Sequence, residues 1–174
     1  MLELAKADAT VLCCLAQPDH LDSLSSLDGA FGCRVAADEL LLLAPAGVHG
    51  ELFDHVAGLL EERDPHAVVV DQTSGWSVWM LAGSDVWRAF ARLSAIPLPS
   101  ERPAFVQGAI AEVPGKAVLL LDCIHLLVPA PVGHHLRRRV LSACTDLQPH
   151  EAEPRALELV AAPAGVQVTE GGAS

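Results

Sequence analysis

The chain contains no tyrosine, and only 4% of its 174 residues are aromatic. So few rings leave little surface on which to stack a base or a flavin. Basic residues are scarce too: 11 Lys and Arg stand against 22 Asp and Glu, a formal charge of −11. Binding a polynucleotide requires cations clustered over a whole face, so this balance argues against a nucleic-acid partner. No apolar run reaches the ~18 uninterrupted residues of a membrane span. Glu3, Lys6 and Asp8 fall where a secretory signal would carry its apolar block. Cysteines 13, 14, 33, 123 and 144 form no C-x-x-C pair and lie mostly in apolar runs such as Val11–Leu15. They read as small buried hydrophobes in a reducing compartment, and the predicted location is cytoplasmic.

The usual signatures of chemistry are missing as well. Neither G-x-G-x-x-G nor G-x-x-x-x-G-K-[ST] occurs, so no phosphate-cradling loop is encoded. There is no H-E-x-x-H and no Cys/His quartet. Adjacent His134 and His135 diverge by ~100° on a helix, and His49 and His55 fall on different helix faces. Cys123 and His125 share one face of a strand but have no evident third ligand. Thr73–Ser74–Gly75 is not the G-x-S-x-G of a nucleophile elbow. The predicted catalytic, cofactor-binding and metal residues are therefore none.

What the chain has in quantity is aliphatic: 51% of residues are hydrophobic, and a chain of this length can bury roughly 70% of its unfolded surface. An internal repeat organises it. Asp38–Leu60 aligns with Asp122–Cys144 at an offset of 84, with 8 of 23 positions identical, among them Leu42/Leu126, Pro45/Pro129, Val48/Val132 and Val56/Val140. In each copy an apolar run, Leu40–Ala44 or Ile124–Val128, reads as a strand that Pro45 or Pro129 terminates. The period then changes to that of an amphipathic helix: Val48, Leu52, Val56, Leu59 and Leu60 in one copy, Val132, Leu136, Val140 and Cys144 in the other.

Between the copies, Ala67–Asp71 and Trp76–Leu81 read as strands joined by the turn residues Gln72–Gly75. Ser84 stands where a helix N-cap belongs, Asp85 in the first turn, and Val86, Ala89, Phe90 and Leu93 form a stripe. Phe105–Val113 and Lys116–Leu121 predict a hairpin turning at Pro114–Gly115. The second strand of that hairpin is drawn as able to run on into Ile124–Val128. Val11–Ala16 is a strand and Asp19–Asp28 a polar connection or short helical turn. The sum is one α+β domain over residues 1–148, two ferredoxin-like halves sharing a mostly antiparallel sheet with helices on one side, then an acidic, flexible tail over 149–174.

Two features invite a functional reading. All three tryptophans fall in Trp76–Trp87. Alternation puts Trp76 and Trp79 on opposite faces, and Trp87 lies at the edge of the helical stripe. They are core residues, or else Trp79 or Trp87 anchors a partner. Arg137, Arg138 and Arg139 extend the basic run His134–Arg139, which is a solvated helix face or a contact for an anion or an acidic partner.

The order "ADELLLLAP", "VVVDQTSGWSVWMLAGSDVWRAFARLSAIPL", hairpin, "HLLVPAPVGHHLRRRVLSA" resembles the gamma subunit of heterotetrameric sarcosine oxidase, over about residues 31 to 144. That family is similar in turn to a shortened aminomethyltransferase, the T-protein of glycine cleavage. A D-x-S-x-G-type turn and a G-x-D-A-type helix start correspond to Asp71–Gly75 and Gly83–Val86. Val86 departs from the small residue usual there, as does the Cys- and His-bearing strand Asp122–Leu127. The K-G-C-[YF]-x-G-Q-E signature of the folate-dependent iron–sulfur maintenance protein is absent: Gly115–Lys116 runs on into "AVLLLDC". The resemblance implies an accessory subunit of a flavin-dependent amine oxidase, with FAD, FMN, NAD and tetrahydrofolate held by larger partner subunits, and contacts through Trp79, Trp87 and Arg137, Arg138, Arg139. Two alternatives are a stand-alone folate-binding or one-carbon protein and a small anion-binding regulator.

Overall fold

A computed structural model describes residues 1–159 of the chain. Its spine is β1 (Leu2–Leu15), a strand twice the usual length that serves both halves of the molecule. The first half continues with α1 (Pro18–Leu24), β2 (Phe31–Ala36), β3 (Glu39–Pro45), α2 (His49–Glu61) and β4 (Val68–Asp71). The second comprises β5 (Trp76–Ala82), α3 (Val86–Leu93), β6 (Ala104–Ile110), β7 (Val113–Leu119), β8 (Cys123–Pro129), α4 (Gly133–Ala143) and β9 (Pro149–Ala156). The nine strands hydrogen-bond in the order β2-β3-β1-β5-β8-β7-β6, with β4 and β9 also on β1. Every pairing is antiparallel except β1 with β9.

The sheet folds over on itself into a barrel-like arrangement, and period-2 alternation sorts its side chains. Leu41 and Leu43 of β3, Val78 of β5 and Leu127 of β8 face one inner cluster with Val11, Cys13, Cys33 and Val118. Leu40, Leu42 and Ala44 turn outward to α1 and α2. Ile124, Leu126 and Val128 turn outward to α3 and α4. This is why both repeat strands are continuously apolar: each is covered on two faces. The helices thus coat the outer face of the folded sheet in both halves, while its inner face is lined by strand and loop residues, in keeping with the expected helices on one side of a mostly antiparallel sheet. At the far ends of the sheet β2 and β6 approach, and the Gln107 amide donates to the Val35 carbonyl at 2.9 Å.

The repeat is matched in backbone angles. After Pro45 (φ −56°) and Pro129 (φ −51°), a 3-10 turn carries each strand into its helix, through Val48 at φ −104°, ψ 9° and Val132 at φ −104°, ψ 8°. Proline ends the ladder because it has no N–H to donate, and its fixed φ aims the chain into the turn.

Four boundaries depart from the sequence reading, the first being β1, which begins at Leu2 rather than Val11. Pro149–Ala156 of the expected tail is a strand, parallel to Leu2–Asp8. Its register shifts between Ala152 and Arg155, where Pro154 has no N–H for the ladder. The remainder of that tail, from 160, lies outside the described residues. The hairpin turns at Ala111 and Glu112, both left-handed at φ 53° and 70°, while Pro114 and Gly115 pair within β6/β7. Gly115 is there for space: a Cβ would meet the Ile110 side chain at 3.2 Å and the Leu127 carbonyl at 3.3 Å. Last, β7 does not run on into β8 but folds back beside it, with Leu120 N–H donating to the Cys123 carbonyl at 2.9 Å. No described helix is long and apolar enough to cross a membrane.

Candidate functional site

The turn between β4 and β5 lies where those strands part along the same edge of β1. Its polar groups close the gap. The Asp71 carboxylate accepts the Thr73 N–H at 2.9 Å, the Thr73 hydroxyl accepts the Val11 N–H at 3.0 Å, and Gln72 N–H donates to the Val11 carbonyl at 2.9 Å. The donors on Thr73 hold Asp71 below the usual carboxylate range, helped by His49 Nε2 at 3.6 Å. Asp71 and Thr73 are thus committed to the backbone, as Asx-type turn residues commonly are.

Helix α3 starts differently from the expectation. Asp85, not Ser84, occupies the N-cap position, and neither makes a side-chain cap bond. The Asp85 carboxylate instead takes the Met1 amino group at 3.0 Å and Arg88 at 2.7 Å, and these donors lower its pKa. Gly83 permits the approach: at φ 105° its missing Cβ would fall 2.3 Å from the Met1 carbonyl.

The tryptophans separate into three roles. Trp79 is 7% exposed, and its indole N–H donates to the buried Ser77 hydroxyl at 2.9 Å. It is core, which removes it as a partner anchor. Trp87 is half-buried, with the Arg102 guanidinium 4.6 Å from its ring centroid. Trp76 faces a groove. Its indole N–H donates to Gln72 Oε1 at 3.2 Å and Lys116 Nζ lies 5.3 Å from its ring centroid, a cation–π contact.

Two clefts share Trp76. One, of about 480 Å³, runs along the β6–β7 hairpin past Gln107, Glu112 and Lys116. The other, of about 540 Å³, lies between the halves, where Lys6, Asp8, Thr73 and Ser74 meet the two equivalent corner residues Ala46 and Ala130. The symmetry of the repeat creates this second cleft, since both corners turn toward it. Composition concealed Trp76 as a groove residue; the signal that could have found it was its position as the first residue of β5, directly after the turn.

The basic run is mostly occupied. Arg137 forms a bidentate pair with Glu151 of β9, at 2.7 and 2.5 Å, and Arg139 reaches Glu112 at 3.3 Å. Arg138 is exposed, and His135 meets the Ala111 carbonyl at 2.9 Å. Cys123 Sγ and His125 Nε2 lie 4.0 Å apart, with His125 fully buried and its Nε2 3.2 Å from the Glu158 carbonyl. Among the described residues no three His, Cys, Asp or Glu side chains gather as a metal site. Cysteines 14 and 33 are buried thiols whose pKa burial raises to about 12, beyond the thiolate range of a reactive cysteine.

No protein-family model matches the chain, and no curated protein matches it by sequence. Its fold is nonetheless present in solved structures. A chain of heterotetrameric sarcosine oxidase from Corynebacterium sp. U-96, in complex with pyrrole 2-carboxylate, superposes with a TM-score of 0.73 at 18% identity, over 87% of either chain. The glycine cleavage system aminomethyltransferase T from Bartonella henselae superposes with a TM-score of 0.63 at 14% identity, over 86% of this chain and 47% of the transferase chain. The chain therefore spans about half the length of that transferase. These likenesses establish a shared fold, and the resemblance read from the order of motifs holds in three dimensions.

Proposed function

We propose that this chain is a non-catalytic, gamma-like accessory subunit of a heterotetrameric flavin-dependent oxidase of sarcosine or another N-methyl amine, packed against the large catalytic subunit in the cytoplasm. What carries the reading is the extent of the shared fold: the match with a chain of sarcosine oxidase covers 87% of each chain, whereas 47% of the transferase chain is covered. The commitments of Asp71, Thr73 and Asp85 to backbone and terminal donors point the same way. In this reading the halves are ferredoxin-like units, FAD, FMN, NAD and tetrahydrofolate reside in the partner subunits, and Trp87 and Arg138 join the interface.

The test is made with the full chain alone. Purified by itself it carries no flavin absorbance and does not turn over sarcosine; co-expressed with its larger flavoprotein partner it enters a stable complex. Flavin bound to the isolated chain refutes the assignment. Saturable binding of a reduced folate by the isolated chain would favour the stand-alone one-carbon reading, which draws on the fold shared with the aminomethyltransferase.

A further inference from the structure

Strand β4 is the place where the fold stops short. It hydrogen-bonds to β1 along one side, and among the described residues no strand lies on its other side. Gln72 N–H points to β1, so by alternation Val70 and Val68 do likewise, and the N–H and C=O groups of Val69 and Asp71 point away from β1 along the open edge. Proteins ordinarily blunt such an edge with lysine, proline or a bulge. Here the run Val68–Val69–Val70 has none of these, and only the shortness of the four-residue strand and the charge of Asp71 at its end protect it.

The side chains reinforce the edge. Val69 packs against the helical cluster, but Val68 is 47% and Val70 42% exposed. Leu15, the register partner of Val68, is 40% exposed, giving a continuous apolar patch beside the open edge. On the opposite face of the strand the half-exposed Asp71 carboxylate stands at its end, 3.6 Å from His49 of α2. Against a second copy stands the net charge, since each copy carries −11 over its whole length.

We infer that β4 is an acceptor edge for a strand of the larger partner subunit, one with apolar residues at alternate positions and Lys or Arg beside them. The donated strand extends the sheet, takes the outward groups of Val69 and Asp71 into a ladder, lays its apolar residues over Val68 and Val70, and sets a cation beside the Asp71 carboxylate on the opposite face. This rests on the accessory-subunit reading and adds the surface and the mode of docking.

The experiment uses the flavin-containing complex recovered with a tagged full-length chain, and compares amide hydrogen exchange at Val69 and Asp71 in that complex and in the isolated chain. Two variants accompany it: Val69→Pro, which deletes one outward N–H while sparing the bonds to β1, and Val68→Lys/Val70→Lys, which charges two exposed positions. Circular dichroism and the urea midpoint verify that each folds. The expected result is protection of both amides on assembly and at least a tenfold loss of affinity in each folded variant. A flavin-containing complex in which these amides stay unprotected and the double-lysine variant binds like the wild type overturns the acceptor edge and leaves the accessory role standing. Protection of the same amides in a homodimer overturns the choice of partner. Failure of the chain to join any flavin-bearing subunit removes both readings.

Discussion

Gly133, the first residue of α4, tests how closely the second repeat is packed. Its counterpart in the first repeat is His49, half-buried at the same place in the turn, so the glycine is not a requirement of the backbone. It is a requirement of space. A Cβ at Gly133 would fall 2.3 Å from Ser77 Oγ and 2.7 Å from Ser77 Cβ. Ser77 has little freedom to retreat, because it sits on central strand β5 and its hydroxyl accepts the Trp79 indole N–H. Overpacking of this kind costs about 1–3 kcal/mol, and displacing the hydroxyl from a buried donor adds about 1–3 kcal/mol. Alanine returns about 0.5–1 kcal/mol through lower backbone entropy in the unfolded chain. Gly133→Ala is therefore expected to destabilise by about 1–5 kcal/mol. Equilibrium urea unfolding followed by tryptophan fluorescence measures it, with Gly50→Ala as the control: nothing lies within 4 Å of a Cβ there, so that variant gains stability. Ser77→Gly combined with Gly133→Ala restores the lost volume and is more stable than the sum of the single effects. A Gly133→Ala midpoint equal to or above that of the wild type, at unchanged m-value, refutes the packing argument.

Glu112 holds φ 70° in the two-residue turn and, among the described residues, pairs with Arg139 alone at the surface, so Glu112→Gly should raise stability by about 1 kcal/mol in the same assay. Phe90, fully buried on the stripe of α3, should cost about 3–5 kcal/mol when changed to Ala. Burial pushes the His125 imidazole below its ordinary 6.5, against a smaller opposing effect of the Glu158 carbonyl. The folded chain thus takes up this proton at lower pH than the unfolded chain, so the contribution is complete above pH 6.5 and is lost as pH falls toward the folded value. His125→Leu should flatten that part of the stability–pH curve, which a urea series across the window measures.

Much of this architecture was legible because hydrophobic period is a direct record of burial. Val86, Ala89, Phe90 and Leu93 gave the face of α3, and the paired runs Leu40–Ala44 and Ile124–Val128 gave two doubly covered strands, down to the prolines that end them. What escaped was structure whose side chains stay wet or whose partners are remote. β9 is largely exposed and carries Pro149, Glu151, Glu153 and Pro154, a composition that reads as disorder, yet its backbone is held by β1 some 150 residues away. The first half of β1 was missed because Lys6 and Asp8 interrupt its apolar pattern, and they do so where the strand passes the cleft between the halves. The hairpin was misplaced by three residues because proline and glycine signalled a turn, whereas Gly115 answers a steric demand from Leu127 across the sheet. In the groove, Trp76 owes its position to Lys116 and Gln72 from separate elements, a meeting that local pattern does not encode.

The most direct measurement of the central claim is the native mass, with flavin content, of the assembly formed by the full chain in its source cells. An accessory subunit appears as one component of a larger hetero-oligomer whose flavin stays with the other chains when this one is dissociated. A free chain of 18.3 kDa that oxidises sarcosine, or that retains the flavin on dissociation, contradicts the account.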